Sequence, residues 1–198
     1  MAKKELTYAE KRKQLIISKS ISVFSEKGFN HATMKDVMTA TGMSRGGVYA
    51  HFNNIDDLFL SVLQYIDDLP KNQLVVNPEQ TALSNLFTWV DQSFTFTEAS
   101  ICQIGKALSE YFLAHTKNEI PYLEERRKKL TSQVENFIEA GIKSGEFKPK
   151  IDVKNFVELL LCQIDGILLN HYVNGQEEMN NQKLINYLKE QIKRILLK

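Results

Sequence analysis

The sequence predicts an all-α protein of about nine helices arranged in two lobes. Apolar residues recur every three to four positions along almost every segment, which is the spacing of a helix with one buried face. Only 9 Gly and 4 Pro occur among the 198 residues, so long helices are easier to build than the many turns of a β-sandwich. No segment alternates polar and apolar residues at the period of a strand.

Four helices are expected before residue 68, each beginning at a residue that caps helix N-termini. The side-chain oxygen of such a residue accepts a free backbone N–H of the first turn, in two cases within a capping box. The capping residues are Thr7 with Glu10, Thr33 with Asp36, Ser44, and Asn54. Gly28 and Gly42 stand where the first two helices are expected to end, because glycine adopts a positive φ without steric strain.

The segment 70–78 is the only break bounded by prolines, and we place the domain boundary there. The predicted domains are residues 1–68 and 69–198. Longer helices are expected in the second domain. They are predicted over 79–94, 98–115, 121–145 and 152–173, followed by a C-terminal helix that presents Leu184, Leu188, Ile192 and Ile195.

Charge is distributed unevenly along the chain. Residues 1–50 hold 9 Lys/Arg and 4 Asp/Glu, a net charge of +5, whereas the remaining residues carry a net charge of −4. This segregation indicates an N-terminal domain that faces a polyanion. The alternative is a basic terminal segment that has no partner.

Residues 33–52, TMKDVMTATGMSRGGVYAHF, predict a helix-turn-helix, in which the second helix offers its N-terminal side chains to the major groove of DNA. Arg45 has the fork geometry that pairs with guanine O6 and N7. Gly46 and Gly47 place no side chain between the backbone and DNA. The expected DNA-contacting residues are Lys35, Ser44, Arg45, Gly46, Gly47, Tyr49 and His51.

The N-terminal segment resembles the TetR (tetracycline-repressor) family of bacterial transcriptional regulators over about residues 8–65. The residues that carry the resemblance are Val23–Phe29, Thr33–Val37, Gly42–Phe52 and Leu58–Phe59. The resemblance implies a homodimer on a palindromic operator, with DNA contacts by Thr33, Ser44, Arg45, Gly47, Tyr49 and His51. Ile55 stands where the family usually has a lysine near the operator phosphates, so one phosphate contact per half-site is expected to be missing.

The predicted helix over 152–173 is apolar on more than one face, so it must be buried from two directions. We interpret these directions as the core of the subunit and a partner subunit, and the family that this chain resembles pairs its subunits through the last two helices. The expected homodimer interface is Val157, Leu160, Leu161, Ile164, Leu168, Leu188 and Ile192.

Aromatic residues are dense between positions 87 and 122, on three successive predicted helices and their joints. Such density indicates a mostly apolar pocket for a small molecule, although plain core packing explains any single aromatic residue. The family resemblance favours a bulky, largely apolar effector that controls DNA binding. The expected pocket residues are Phe87, Trp89, Phe94, Tyr111, Phe112, His115, Cys162 and Asp165.

The remaining polar clusters predict no metal and no cofactor. The four histidines and two cysteines lack metal-ligand spacing, and Cys102 and Cys162 are expected as buried small side chains, with a redox-sensing thiol as the alternative. The basic run Arg126–Lys129 follows Glu124 and Glu125 at helical pairing distance, which indicates a solvated face rather than a second nucleic-acid patch.

These patterns predict a cytoplasmic, ligand-responsive transcriptional regulator, a repressor that leaves its operator when an effector binds. No GxSxG, GxGxxG or P-loop motif occurs, so we do not expect an enzyme. No secretory signal or membrane-length apolar run is visible. The alternative is an all-α carrier or enzyme whose N-terminal helices only look like a DNA-binding module. Retention on a DNA column distinguishes the two.

Overall fold

The computed structural model describes residues 6–95, 104–115, 119–174 and 178–197, and within these ranges the chain is helical with no strand. The all-α prediction is confirmed for this part of the chain. Its nine α-helices are α1 (Tyr8–Lys27), α2 (Met34–Thr41), α3 (Arg45–Tyr49), α4 (Ile55–Asp67), α5 (Ala82–Ser93), α6 (Gly105–Ala114), α7 (Pro121–Lys143), α8 (Val153–Asn174) and α9 (Glu178–Leu196). A short 3-10 turn, Pro70–Asn72, follows α4.

Helices α1, α2 and α4 begin at the capping residues that the sequence predicts. Thr7 Oγ1 accepts the Glu10 N–H at 3.2 Å, and the Glu10 carboxylate accepts the Thr7 N–H at 2.7 Å, which completes the capping box. Thr33 and Asp36 form the same reciprocal pair before α2. The Asn54 side chain accepts a backbone N–H in the first turn of α4. Local side-chain chemistry therefore determines where these helices begin.

The described chain divides into two compact units. The N-terminal unit comprises residues 6–69 together with α6 as far as Phe112, and the C-terminal unit comprises the remaining described residues. The sequence predicts that every residue after 68 belongs to the second domain. The structure differs in grouping most of α6 with the N-terminal helices.

An aromatic cluster explains why α6 groups with the N-terminal unit. Tyr111 of α6 is fully buried, and its ring centroid lies 4.7 Å from that of Phe29 and 4.8 Å from that of Phe59. Phe24 of α1 packs edge-on against Phe59 at 4.9 Å. Burial, together with the nearby charge of Asp56, raises the pKa of the Tyr111 phenol to about 12. Tyr111 was expected to line a ligand pocket; the structure places it in this core instead.

Helix α6 also contacts the turn between α1 and α2. Gly28 ends α1 with φ 73° and ψ −178°, a conformation that favours glycine. The Glu110 carboxylate accepts the backbone N–H of Asn30 at 2.9 Å. Its oxygens lie 2.6 and 2.7 Å from the point that a Cβ on Gly28 would occupy. A side chain at position 28 would therefore displace Glu110.

The core of the C-terminal unit is formed by α5, α7, α8 and α9. Its buried side chains include Leu86, Trp89, Val134, Ile138, Phe147, Val157, Leu160, Leu161, Ile164, Leu188 and Ile192. Phe147 packs so closely on Gly141 of α7 that a Cβ there would lie 2.3 Å from its ring. Within the described ranges, no helix is both long enough and apolar enough to span a membrane.

Candidate nucleic-acid interface

The turn between α2 and α3 has the geometry that a helix-turn-helix requires. Gly42 ends α2 in the left-handed conformation, with φ 67° and ψ 15°. The Ser44 side chain then accepts the Gly47 N–H at 3.2 Å and caps α3. Met43 and Val48 are buried, which anchors both sides of the turn to the core of the N-terminal unit. The motif therefore consists of the short helix α2 and of α3, whose position is fixed by buried side chains.

The outward side of α3 carries residues that the sequence predicts to contact DNA. Ser44, Arg45 and Gly46 are exposed, and Tyr49 is 40% exposed. The Arg45 guanidinium carbon lies 5.4 Å from the centre of the Tyr49 ring, so the two side chains lie together. His51, just after α3, is half-buried. The guanidinium of Arg45 and the hydroxyl groups of Ser44 and Tyr49 are therefore accessible to a DNA duplex.

The two glycines of α3 face different surroundings. A Cβ on Gly46 would meet no atom within 4 Å, so Gly46 lies on the open side. A Cβ on Gly47 would lie 3.4 Å from Met43 Cε and 3.7 Å from Arg12 Nη2. Gly46 therefore permits close approach from outside. Gly47 instead permits the approach of neighbouring side chains, which the sequence did not reveal.

Helix α2 braces the motif and carries two further predicted contact residues. Thr33, the N-cap of α2, and Lys35, in its first turn, are both exposed. Asp36 accepts a hydrogen bond from Lys27 Nζ at 2.5 Å, which joins the end of α1 to the start of α2. The hydrogen bond from Lys27, followed by those from Thr33, holds the pKa of the Asp36 carboxyl below its usual value. The base-reading and phosphate-contacting roles of all these residues stay predictions.

Most of the residues predicted for the dimer interface lie in the core of a single protomer and not on its surface. Six of the seven are at most 6% exposed within a single protomer, namely Val157, Leu160, Leu161, Ile164, Leu188 and Ile192. Leu168 is half-buried. Side chains this buried in the core of their own protomer offer almost no surface to a partner, and a role for these six in the interface stays a prediction. Helical periodicity identified the apolar positions of α8 and α9 but not which of them face their own core.

Other apolar side chains of α8 and α9 remain exposed. On α8, Leu159 is 55% and Leu169 44% exposed, and the exposed residues Cys162 and Gly166 lie between them at helical spacing. On α9 the exposed apolar residues are Leu184 (41%), Tyr187 (63%) and Ile195 (41%). We call these seven residues the α8–α9 outer face.

The two expected pocket residues of α8 lie on the surface. Cys162 is an exposed free thiol, so the expectation that it is buried is wrong, whereas its assignment to a pocket stays a prediction. Asp165 is exposed and accepts a hydrogen bond from Arg127 of α7 at 3.2 Å. Arg127 also bonds Glu158 at 3.0 Å, so part of the basic run joins α7 to α8. Cys102 lies outside the described residues.

The other expected pocket residues differ in burial. Trp89 is 5% exposed, and Phe87 and Phe94 pack partly buried against the same C-terminal core. Phe112 is 40% exposed and His115 is half-buried. The described residues contain no cluster of His, Cys, Asp and Glu side chains that could hold a metal ion. A pocket lined by these aromatic residues stays a prediction.

A capped brace helix, a left-handed glycine turn and an exposed second helix define a helix-turn-helix DNA-binding protein. The profile described as "Bacterial regulatory proteins, tetR family" matches residues 16–62, and "Tetracyclin repressor-like, C-terminal domain" matches residues 85–182. The chain belongs to the TetR family of bacterial transcriptional regulators and is a DNA-binding transcriptional regulator.

Individual relatives agree with this assignment. The chain is 27% identical over 192 residues to the uncharacterized HTH-type transcriptional regulator YfiR of Bacillus subtilis, covering 96% of this chain and 94% of YfiR. It is 25% identical to the HTH-type transcriptional repressor KstR2 of Rhodococcus jostii, covering 72% and 71% of the two chains. It is 22% identical to the fatty acid metabolism regulator protein of B. subtilis, covering 82% and 84%.

The fold agrees with that of solved family members. A TetR-family transcriptional regulator from Cytophaga hutchinsonii superimposes with a TM-score of 0.75 at 18% identity, covering 98% of this chain and all of the other. At this level of identity the similarity establishes the fold.

Proposed function

We propose that this chain is a cytoplasmic repressor that binds a palindromic operator as a homodimer and is released by a small apolar effector. Residues 1–68 bind DNA in this proposal, and residues 69–198 bind the effector and the partner subunit. The observation that carries the proposal is the exposed side of α3, where Arg45, Gly46 and Tyr49 stand clear of the core. KstR2, a relative over most of its length, is named a transcriptional repressor.

The α8–α9 outer face supports the homodimer. An isolated exposed leucine is ordinary, but seven exposed residues at helical spacing on two neighbouring helices suit a self-complementary interface. Pairing these faces across a two-fold axis would place α8 and α9 of both protomers together. Two half-sites one turn of DNA apart would then require the two recognition helices of the symmetric dimer to lie about 34 Å apart.

The proposed effector is a bulky, largely apolar molecule bound in the C-terminal unit. Trp89, Phe87 and Phe94 supply the apolar surface that such a ligand requires. One relative is named a fatty acid metabolism regulator, so fatty acids are the first compounds to test.

Selection of bound sequences from a random DNA pool tests the DNA-binding part of the proposal. We expect enrichment of a palindrome whose half-sites are separated by about one helical turn. Arg45→Ala should weaken binding to that palindrome by about 1–3 kcal/mol and relax its preference at one base pair per half-site. Lys143→Ala, which removes an exposed cation in the C-terminal unit, is the matched control and should bind like the wild type. Failure of the wild-type protein to enrich any sequence would contradict the proposal.

A further inference from the structure

Helix α1 places a guanidinium group against the recognition helix. Arg12 Nη2 lies 3.7 Å from the point that a Cβ on Gly47 would occupy, beside the first turn of α3. Arg12 Nη1 donates a hydrogen bond to the Tyr8 hydroxyl at 2.6 Å, and the Arg12 guanidinium carbon lies 5.4 Å from the centre of the Tyr8 ring. Arg12 is half-buried, whereas Tyr8 is 72% exposed. The guanidinium is therefore held in one place at the edge of α3.

The charge of Arg12 is not neutralised within the described part of the chain. None of its carboxylates lies within ion-pair distance of the Arg12 guanidinium. Glu10, two residues before Arg12 in sequence, accepts hydrogen bonds with its carboxylate from the Thr7 backbone N–H at 2.7 Å and from the Thr7 hydroxyl at 2.8 Å. A half-buried cation that lacks a counter-ion gains energy when an anion approaches it.

A second cation of α1 lies at the other end of the recognition segment. Lys13 Nζ lies 5.4 Å from the centre of the Phe52 ring, three residues after α3 ends. Arg12 and Lys13 thus flank the recognition segment at its start and just beyond its end. Phosphates lie on both sides of the groove that a recognition helix enters, so a cation at the edge of α3 would lie near the DNA backbone if α3 enters the groove.

We propose that α1 is part of the DNA interface and that Arg12, positioned by Tyr8, contacts a phosphate beside the bases that α3 reads. The inference rests on the proposed function, because it requires α3 to face DNA. The planar guanidinium suits a phosphate because it can donate two parallel hydrogen bonds. Tyr8 is the positioning residue: its hydroxyl accepts from Nη1 and leaves the other donors of the guanidinium free for the phosphate.

The experiment measures how strongly salt weakens binding to a labelled duplex of random sequence. Each phosphate contact contributes about 0.9 to the slope of log affinity against log salt. Arg12→Ala should therefore lower the slope by about 1 for each bound protomer, and affinity near 0.1 M salt by roughly 8-fold per protomer. Arg12→Lys should restore the slope, because it restores the charge. Tyr8→Phe should weaken binding while leaving the slope unchanged, since the charge stays.

Two controls separate this inference from the proposed function and from a structural role. Lys143→Ala removes one exposed cation from the C-terminal unit and should keep the wild-type slope. Thermal unfolding establishes that each variant is folded. If the wild-type protein binds no duplex, the proposed function fails and this inference fails with it. If the wild type binds and folded Arg12→Ala keeps its slope, or Arg12→Lys does not restore it, this inference alone is overturned.

Discussion

Gly28, at the end of α1, is restricted both by its backbone conformation and by the packing of α6. Its φ of 73° is combined with an extended ψ, a region that residues with a Cβ rarely adopt. The space that a side chain would need is taken by the Glu110 carboxylate, which accepts the Asn30 N–H. Glycine at this position thus satisfies both a backbone and a packing requirement.

Substituting Gly28 should therefore destabilise the protein more than substituting a glycine that has only the backbone requirement. Gly145 is the comparison, because its φ is also positive, at 83°, but a Cβ there would meet nothing within 4 Å. We expect Gly145→Ala to lower the free energy of unfolding by about 1–2 kcal/mol and Gly28→Ala by roughly 1 kcal/mol more. Urea denaturation of the two variants measures the difference. Equal losses would show that Glu110 moves aside freely.

At the scale of elements, the Lys27–Asp36 pair joins α1 to the brace helix of the motif. The carboxylate of Asp36 also completes the capping box with Thr33, so one side chain both starts α2 and attaches it to α1. These contacts lower the pKa of the Asp36 carboxyl in the folded state. Folding is therefore linked to the ionisation of this group.

The sign of this linkage predicts a loss of stability in acid. Because the folded-state pKa of Asp36 is below its unfolded value, its contribution is complete above the unfolded pKa of about 3.9 and disappears as pH falls through the folded pKa. Asp36→Asn should lower the free energy of unfolding by about 1 kcal/mol at neutral pH, and the difference from wild type should shrink below about pH 4.

Glu139→Gln is the control for this prediction, since the Glu139–Lys143 pair is long at 3.9 Å and both side chains are more than half exposed. It should leave the free energy of unfolding unchanged across the same pH range. A difference between Asp36→Asn and wild type that persists undiminished in acid would contradict the role assigned to the charge of Asp36.

At the scale of the whole molecule, the α8–α9 outer face predicts a homodimer that one surface charge disrupts. Leu159 is 55% exposed at this face, and burying a lysine there without a partner is unfavourable. We expect sedimentation velocity at micromolar concentration to show a dimer for wild type and a monomer for Leu159→Lys. Val75→Lys adds the same charge at a residue that is 63% exposed outside this face and should remain a dimer. A monomeric wild type would refute the homodimer.

The effector hypothesis predicts reciprocal coupling between two ligands. Trp89 is the only tryptophan, so its fluorescence reports compounds that enter the C-terminal unit. An effector that weakens operator binding about 100-fold supplies a coupling free energy of roughly 2.7 kcal/mol, and operator DNA must weaken the effector by the same factor. Fluorescence titration with fatty acids, with and without the selected operator, measures both quantities. An effector affinity that the operator leaves unchanged would exclude coupling.

Local sequence by itself determined the helix starts and the form of the DNA-binding motif. Caps such as Thr7, Thr33 and Asn54 act within one helical turn, so a pattern of a few residues is enough to predict them. The Gly42 turn and the cap at Ser44 are equally local. The helix-turn-helix, its family and its regulatory function could therefore be predicted from the N-terminal third of the chain.

Tertiary structure alone decided which side of each helix is covered. An apolar period shows that α8 has a buried face but not that Leu160 belongs to its own core while Leu159 stays exposed, because both suit the same helix. Likewise, neither the grouping of Tyr111 with Phe29 and Phe59 nor the approach of Arg12 to Gly47 has a sequence signature. These contacts join residues that are distant in the chain, and only packing brings them together.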